Sequence, residues 1–363
     1  MNQCARSLCL SLLLLSPLGP MQQQALACSR VFSSVNGKAM VVGRTMDLFI
    51  SDQAGLALRT RGFRAGGLLG VVDANALKWS SKYGNVGVLS LGKIISDGLN
   101  EKGLSANLLY LGVSSYPRRS SSQPGISNLR MVEYVLDNFA TVAEALEGLK
   151  RVQVVSDRVL DRPWGLHISL ADRSGASAVV EFVNGVMKVH QGKETFVMTN
   201  EPELDWQLHN LKRYRPFGGA LPLPGDIDPA SRFVRASTYL KTLPLAKSTA
   251  EAEANVAAVM NNVAVPAGAN DYSAGVSEDT WLTLWTTIAN LDDGLYAFQL
   301  AANPFPVWVD LRQMDWQSGS GMRVLDVQSP RLTGDVSAQL SRAPLQHDSA
   351  ALTNSIKSAR TSP

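Results

Sequence analysis

Cysteine is nearly absent from this chain. Of 363 residues only Cys4, Cys9 and Cys28 are cysteines. Histidine is as scarce, and His167, His190, His209 and His347 stand too far apart for metal-ligand spacing, which leaves no metal site and no support for a histidine-based triad. A Gly-x-Ser-x-Gly elbow and a Gly-x-x-x-x-Gly-Lys phosphate loop are both missing, and Gly66-Gly67-Leu68-Leu69-Gly70 is too weak to signal a nucleotide. Thirty-four basic against 31 acidic side chains give a net charge of +3, with no basic cluster interleaved with aromatics, so no nucleic-acid partner is indicated. Beyond the first residues no apolar stretch approaches 18, which excludes a membrane-spanning helix there. There is no internal repeat.

What is present is a leader. Arg6 supplies a positive n-region, and the apolar run Leu8 to Leu18 is too short to span a bilayer but suits an h-region. Ala25-Leu26-Ala27 then offers the small-x-small pattern behind which a signal peptidase cuts, so residues 1–27 are expected to be removed and the product exported to the periplasm or the medium. Cys4 and Cys9 leave with the leader, and the single remaining thiol can form no internal disulfide.

Cleavage would make Cys28 the new N-terminus, joining a thiol and a free α-amine in one residue. An N-terminal nucleophile needs no histidine, because its own amine can accept the side-chain proton. The two groups titrate close together, the thiol near about 8.5 and the amine near about 7.7 to 8.0. A competing route is lipoprotein processing, in which Cys28 is acylated and anchors a non-catalytic binding protein of the envelope. That route usually wants Leu three residues before the cysteine, where Ala25 stands.

Hydrophobic residues make up 45% of the chain and charged ones 18%, enough apolar content for a large core. Ala39 to Val42, Val86 to Leu91 and Leu104 to Leu111 read as buried strands, the last following the tight turn Asn100 to Gly103. Arg118 to Gly125 is a polar surface loop. Ser127 caps a helix starting at Asn128 and running to Asn138, and the Thr141/Glu144 capping box opens Val142 to Val152, so this region reads as a helix pair or one kinked helix. Leu166 to Asp172, Ala176 to Val183 and Val186 to His190 form a meander, with Asn184-Gly185 as a type I′ hairpin turn.

Phe196 to Thr199 leads into Asn200, after which Leu204, Leu208 and Leu211 recur at helical spacing. Asp228 and Pro229 start a helix running to about Leu243, and Thr249 to Asn262 is another. Trp281 to Asn290 and Leu295 to Ala301 pair across Asp292-Asp293-Gly294. Blocks of sheet and helix in this order favour an α+β layered domain over residues 28–337, with mainly antiparallel strands. Residues 338–363 read as a polar, frayed tail.

Five ordered motifs carry a resemblance. Cys28-Ser29-Arg30, Gly43-Arg44-Thr45-Met46-Asp47, Asp97-Gly98-Leu99-Asn100-Glu101-Lys102-Gly103-Leu104, Thr199-Asn200-Glu201-Pro202 and Ser231-Arg232-Phe233-Val234-Arg235 closely resemble the choloylglycine hydrolase family of penicillin V acylases and conjugated bile acid hydrolases. The similarity runs from Cys28 to roughly Ala302. It implies an N-terminal nucleophile hydrolase with an αββα sandwich, autoprocessed, needing no cofactor, and assembled as a homotetramer with the Arg118 to Gly125 loop and the tail as contact regions.

The resemblance also implies roles. Cys28 would be the nucleophile, Asp47 would hold its α-ammonium or steer it, and Arg44 would favour the thiolate. Asn200 and the backbone N–H of Tyr110 would donate to the oxyanion, and Arg232 would be the second arginine of the site, although Arg235 lies one turn later. Met46, Ile50 and Tyr110 would wall an apolar acyl pocket. Tyr at position 110 is common in penicillin V acylases, where many bile acid hydrolases carry Asn. The expected substrate is a linear amide with an apolar acyl group: penicillin V, an N-acyl homoserine lactone or, alternatively, a conjugated bile salt.

Overall fold

The structure, a computed structural model, describes residues 28–69, 73–159, 162–269, 281–303, 305–317 and 321–346. The leader, His347 and the rest of the expected tail lie outside the described residues.

Among these residues two large sheets stack face to face. In the first, seven strands run side by side in the order Val197–Thr199, Cys28–Ser33, Val41–Leu48, Leu282–Asn290, Leu295–Leu300, Val307–Asp310 and Gly334–Asp335. In the second, nine strands run from Val186–Gln191 through Ser177–Val183, Leu166–Asp172, Leu104–Tyr110, Ile94–Asn100, Asn85–Ser90, Gly55–Arg59 and Met322–Asp326 to Leu345–Gln346. Within both sheets the pairing is antiparallel, except for the short edge pair Val307–Asp310 and Gly334–Asp335.

Side-chain alternation explains the layers. Phe32, Val42, Leu56, Val88, Trp285 and Phe298 point between the sheets and form one apolar core. On the outer face of the first sheet Val31 and Val41 meet the helices Pro229–Thr242 and Thr249–Val263 through Phe233, Val256 and Met260. On the outer face of the second, Ala106, Ile168 and Leu170 meet the helices Met131–Asn138 and Val142–Lys150. The result is the expected αββα order, in which Pro229–Thr242 and Thr249–Val263 cover one sheet and Met131–Asn138 and Val142–Lys150 cover the other.

Local signals in the chain account for the boundaries. Thr141 Oγ1 accepts from Glu144 N–H at 3.2 Å, and Asp228 Oδ1 accepts from Ser231 N–H at 2.9 Å, capping their helices as the sequence expects. Asn184 and Gly185 both take positive φ, 53° and 75°, as a type I′ turn requires. The Asn128 to Asn138 segment divides into a 3-10 turn, Asn128–Arg130, and the helix Met131–Asn138.

Two expectations change. The strand placed at Ala39 to Val42 is Val41–Leu48, because the polar Arg44, Thr45 and Asp47 that mask its apolar character are buried and paired. The frayed tail does not begin at Ala338: the helix Ser337–Arg342 docks through Val336 and Leu340, both fully buried, with Ala343 behind them. An i, i+4, i+7 apolar row in a polar segment is enough to hold one short helix on the core.

Candidate active site

Cys28 opens the first strand and Met46 is its register partner across the sheet, so their side chains share the face turned toward the second sheet. Cys28 Sγ lies 3.9 Å from Met46 Sδ and accepts from the backbone N–H of Asp47 at 3.5 Å. Arg44, two residues before Met46 on the same face, places Nη2 4.0 Å from Sγ. The same nitrogen donates to the Leu108 carbonyl of the second sheet at 2.9 Å, and the guanidinium stacks 4.4 Å from the Trp285 ring. Burial pushes the Cys28 thiol up, and the Arg44 guanidinium acts the other way by stabilising the thiolate.

Odd-numbered residues of the two strands face the helix layer and build the second half of the site. Asp47 is fully buried there; it accepts from Thr283 Oγ1 at 2.5 Å and from Thr45 Oγ1 at 3.5 Å, with Arg232 Nη1 4.0 Å away. Burial raises its carboxyl despite the opposing pull of Arg232. Arg232 comes from the first turn of the helix Pro229–Thr242 and donates through Nη1 to the Cys28 carbonyl at 2.8 Å and to Ser29 Oγ at 2.6 Å. Its Nη2 reaches Asn200 Oδ1 at 3.3 Å and its Nε donates to the Ile227 carbonyl at 2.7 Å. Arg235 instead points at the carbonyls of Pro224 and Asp226, so the two arginines are told apart by geometry.

Asn200 follows the short strand Val197–Thr199, the other neighbour of the Cys28 strand. Its Oδ1 accepts from the backbone nitrogen of Cys28, and its Nδ2 donates to the Tyr110 carbonyl at 2.8 Å. An amide nitrogen carries two hydrogens, so one donor remains for a ligand. The Asp47 carboxylate oxygens accept from the two threonines. Glu201 accepts from the backbone N–H of Gly112, tying the Asn200 loop to the chain just past Tyr110.

Cys28 opens onto a cavity of about 70 Å³. Leu48, Ile94, Leu108, Leu129 and Leu166 form apolar walls, and Tyr110, Trp164 and Trp281 form an aromatic one, their ring centroids 5.8 to 6.1 Å apart. Met46 and Tyr110 line the cavity as expected. Ile50 does not: the strand ends at Leu48, the alternation breaks, and Ile50 packs half-buried against the neighbouring core while Leu48 takes the wall position. Trp164, Trp281 and Thr283 carry no motif and escape a reading of the sequence. Their only signal is the strand pattern around them, and the fold brings Thr283 to Asp47 from 236 residues away.

The arrangement can do one kind of chemistry. A buried sulfur with a guanidinium beside it, an amide donor on the next strand and an apolar cavity in front is built to attack a carbonyl carbon whose acyl substituent is apolar.

Known proteins agree with this geometry. The profile described as linear amide C–N hydrolases, choloylglycine hydrolase family, matches residues 28–327. Penicillin V acylase of Pectobacterium atrosepticum is 34% identical over 326 residues, covering 82% of this chain and 84% of the relative. A bile salt hydrolase/transferase of Clostridium perfringens is 28% identical over 293 residues, covering 72% of this chain and 85% of the relative. The solved penicillin V acylase of Agrobacterium tumefaciens superposes with a TM-score of 0.76 at 33% identity, covering 88% of this chain and 98% of that one. This chain belongs to the choloylglycine hydrolase family and is a hydrolase of linear amide C–N bonds.

Proposed function

We propose that the protein is an exported amidase that cleaves penicillin V-like amides through a thioester on Cys28. The supporting observation is the position of Cys28 Sγ, in the wall of a cavity with an aromatic side and 4.0 Å from Arg44 Nη2. After the leader is removed, the α-amine of Cys28 takes the thiol proton, and the thiolate attacks the amide carbon. The second hydrogen of Asn200 Nδ2 and the backbone N–H of Tyr110 receive the negative charge that develops on oxygen.

Collapse of the intermediate breaks the C–N bond, and the α-ammonium hands its proton to the departing amine. Water then adds to the thioester with the amine again as base, releasing the carboxylic acid and restoring the thiol. Arg44 stabilises the thiolate in both halves of the cycle. Asp47 acts one step back, balancing Arg232, which in turn fixes the Cys28 carbonyl.

The phenyl ring of a phenoxyacetyl group suits the wall of Tyr110, Trp164 and Trp281, which favours penicillin V over a flexible chain. Long-chain N-acyl homoserine lactones and conjugated bile salts are the other candidates, the latter on the strength of the 28% identical relative. A panel of penicillin V, short and long acyl homoserine lactones and a glycine-conjugated bile acid, assayed by amine release, tests the reading. Turnover of none of them, or a mature protein whose intact mass shows a lipid on Cys28, overturns it.

A further inference from the structure

Glu181 is a fully buried carboxylate that the proposed chemistry does not use. It stands on the strand Ser177–Val183 of the second sheet, with His167 on the strand to one side and His190 on the strand to the other. Its Oε1 lies 3.4 Å from His167 Nδ1 and its Oε2 3.4 Å from His190 Nε2. Burial pushes the carboxyl up, and the two histidines overcome this and keep it ionised. An ionised acceptor makes the stronger hydrogen bonds, and one of them comes from outside the sheet: the Leu204 N–H donates to Glu181 Oε1 at 3.0 Å.

Leu204 opens the helix Leu204–Leu211, and Glu203 at its cap position makes no side-chain cap. Glu181 takes that role from another strand, where its charge also suits the helix dipole. Only Asn200 to Glu203 separate this helix from the strand Val197–Thr199. The helix closes back on the turn, since Gln207 Nε2 donates to the Glu201 carbonyl at 2.9 Å and reaches Thr199 Oγ1 at 3.4 Å. Turn and helix start therefore move as one unit. Asn200 Nδ2 grips the Tyr110 carbonyl and Glu201 grips the Gly112 N–H, two neighbouring points that leave a hinge between them and the helix. Glu181, two strands away from Tyr110 in the sheet, supplies the buried grip that stops the hinge. The Asp205–Lys188 ion pair beside it is exposed, and water screens it.

We infer that Glu181 is a positioning residue for the reaction: by accepting from the Leu204 N–H it fixes the turn that carries Asn200 against Cys28. The inference rests on the reading of Asn200 as an oxyanion donor, and deepens it by naming what holds that donor in place.

The test compares two replacements. Glu181→Gln keeps an oxygen for the Leu204 N–H and loses the charge, whereas Glu181→Met keeps the length and loses both. With penicillin V, below the Tm of every variant, Glu181→Met should lower kcat about 10- to 100-fold with KM unchanged, and Glu181→Gln should stay within about fivefold of wild type. In an Asn200→Ala background Glu181→Met should cost less than about twofold more, because the donor it positions is already gone. Leu204→Pro removes the N–H from the other end. Proline suits the first turn of a helix, and Glu203, at φ −55° and ψ 159°, already has the extended backbone that precedes one, so this variant should match Glu181→Met. In a crystal structure of Glu181→Met, Asn200 Nδ2 should lie beyond about 3.5 Å from the Tyr110 carbonyl.

Wild-type kcat in Glu181→Met or Leu204→Pro, a loss that persists in full without Asn200, equal losses for Met and Gln at position 181, or an Asn200 still bonded to Tyr110 overturns the inference. If Glu181→Met does not fold, Leu204→Pro carries the cycle and the crystal structure. No slowing by Asn200→Ala alone, or no turnover of penicillin V, would count against the proposed chemistry, and the crystal structure then judges Glu181 by itself.

Discussion

Arg232 donates a 2.8 Å hydrogen bond to the carbonyl oxygen of Cys28, so the residue that bears the thiol is held through its own backbone by a side chain 204 positions away. The same guanidinium touches Ser29 and Asn200, which makes it the joint between the Cys28 strand and the Asn200 loop. A lysine keeps the charge but has no planar fork to span three acceptors. Arg232→Lys should therefore lower kcat/KM by about 100-fold, as misplacements of an ångström do. Steady-state kinetics alongside circular dichroism checks it, and near wild-type turnover in a folded variant would show the clamp to be dispensable.

Asn200→Ala removes the side-chain amide that bridges Cys28 and the Tyr110 carbonyl. A fall in kcat of about 100- to 1000-fold with little change in KM is expected, since charge reaches the substrate oxygen only in the transition state. An effect confined to KM would mean that Asn200 binds ground-state substrate instead. Cys28→Ala should leave no turnover and an intact fold.

The free amine can be tested separately from the sulfur. A chain produced to begin at Cys28 should be active, and the same chain with Ala27 retained should be folded but inactive, because an amide nitrogen cannot accept a proton. Amide hydrolysis by the longer form, with Ala27 verified by intact mass, would assign the base elsewhere.

A buried cluster outside the site sets a pH window. Burial pushes the Glu181 carboxyl up, but His167 and His190, each 3.4 Å from it, together with the Leu204 N–H, outweigh this and hold it at about 2. His190 is raised above its ordinary value, first by its hydrogen bond to Glu181. Glu181 is depressed in the folded state, so its contribution is full above its unfolded pKa of about 4.3 and is lost as pH falls toward 2; His190 is raised, so its contribution is full below about 6.5 and is lost as pH rises through its folded value. The Tm gap between wild type and Glu181→Gln should be widest between about pH 4.5 and 6.5. A gap that is flat from pH 3 to 9 would refute this coupling.

Gly98 faces Gly87 across adjacent strands, and a Cβ on Gly98 would lie 2.7 Å from the Val86 carbonyl oxygen and 2.7 Å from Leu136 Cδ1. Backbone cannot step aside as a side chain can. Gly98→Ala should cost about 1 to 3 kcal/mol, read by denaturant unfolding, with the m-value unchanged. An unchanged midpoint would mean that the sheet absorbs the methyl group.

How much of this was legible in the sequence depended on the range of the interaction. Caps and turns such as Thr141, Asp228 and Asn184-Gly185 are written within four residues and could be read directly. Arg44, Asp47, Asn200 and Arg232 were found only as members of motifs, because nothing about a single arginine or asparagine announces that it faces Cys28. The tryptophans of the cavity and Thr283 were not found at all. They meet Cys28 and Asp47 through the stacking of two sheets, which no local pattern encodes. The docked helix Ser337–Arg342 was missed for a related reason: its apolar row is three residues long, too short to register as periodicity but sufficient once a core is there to receive it.

Arg44 belongs to one sheet and rests on the Leu108 carbonyl of the other, while Asn200 reaches from the first sheet to the Tyr110 carbonyl of the second. Neither sheet alone contains a working centre. A slip of one layer past the other by a fraction of a residue would detach both side chains at once, so turnover should vanish before secondary structure does on heating. Catalysis in this protein thus serves as its own gauge of whether the two halves of the sandwich are seated.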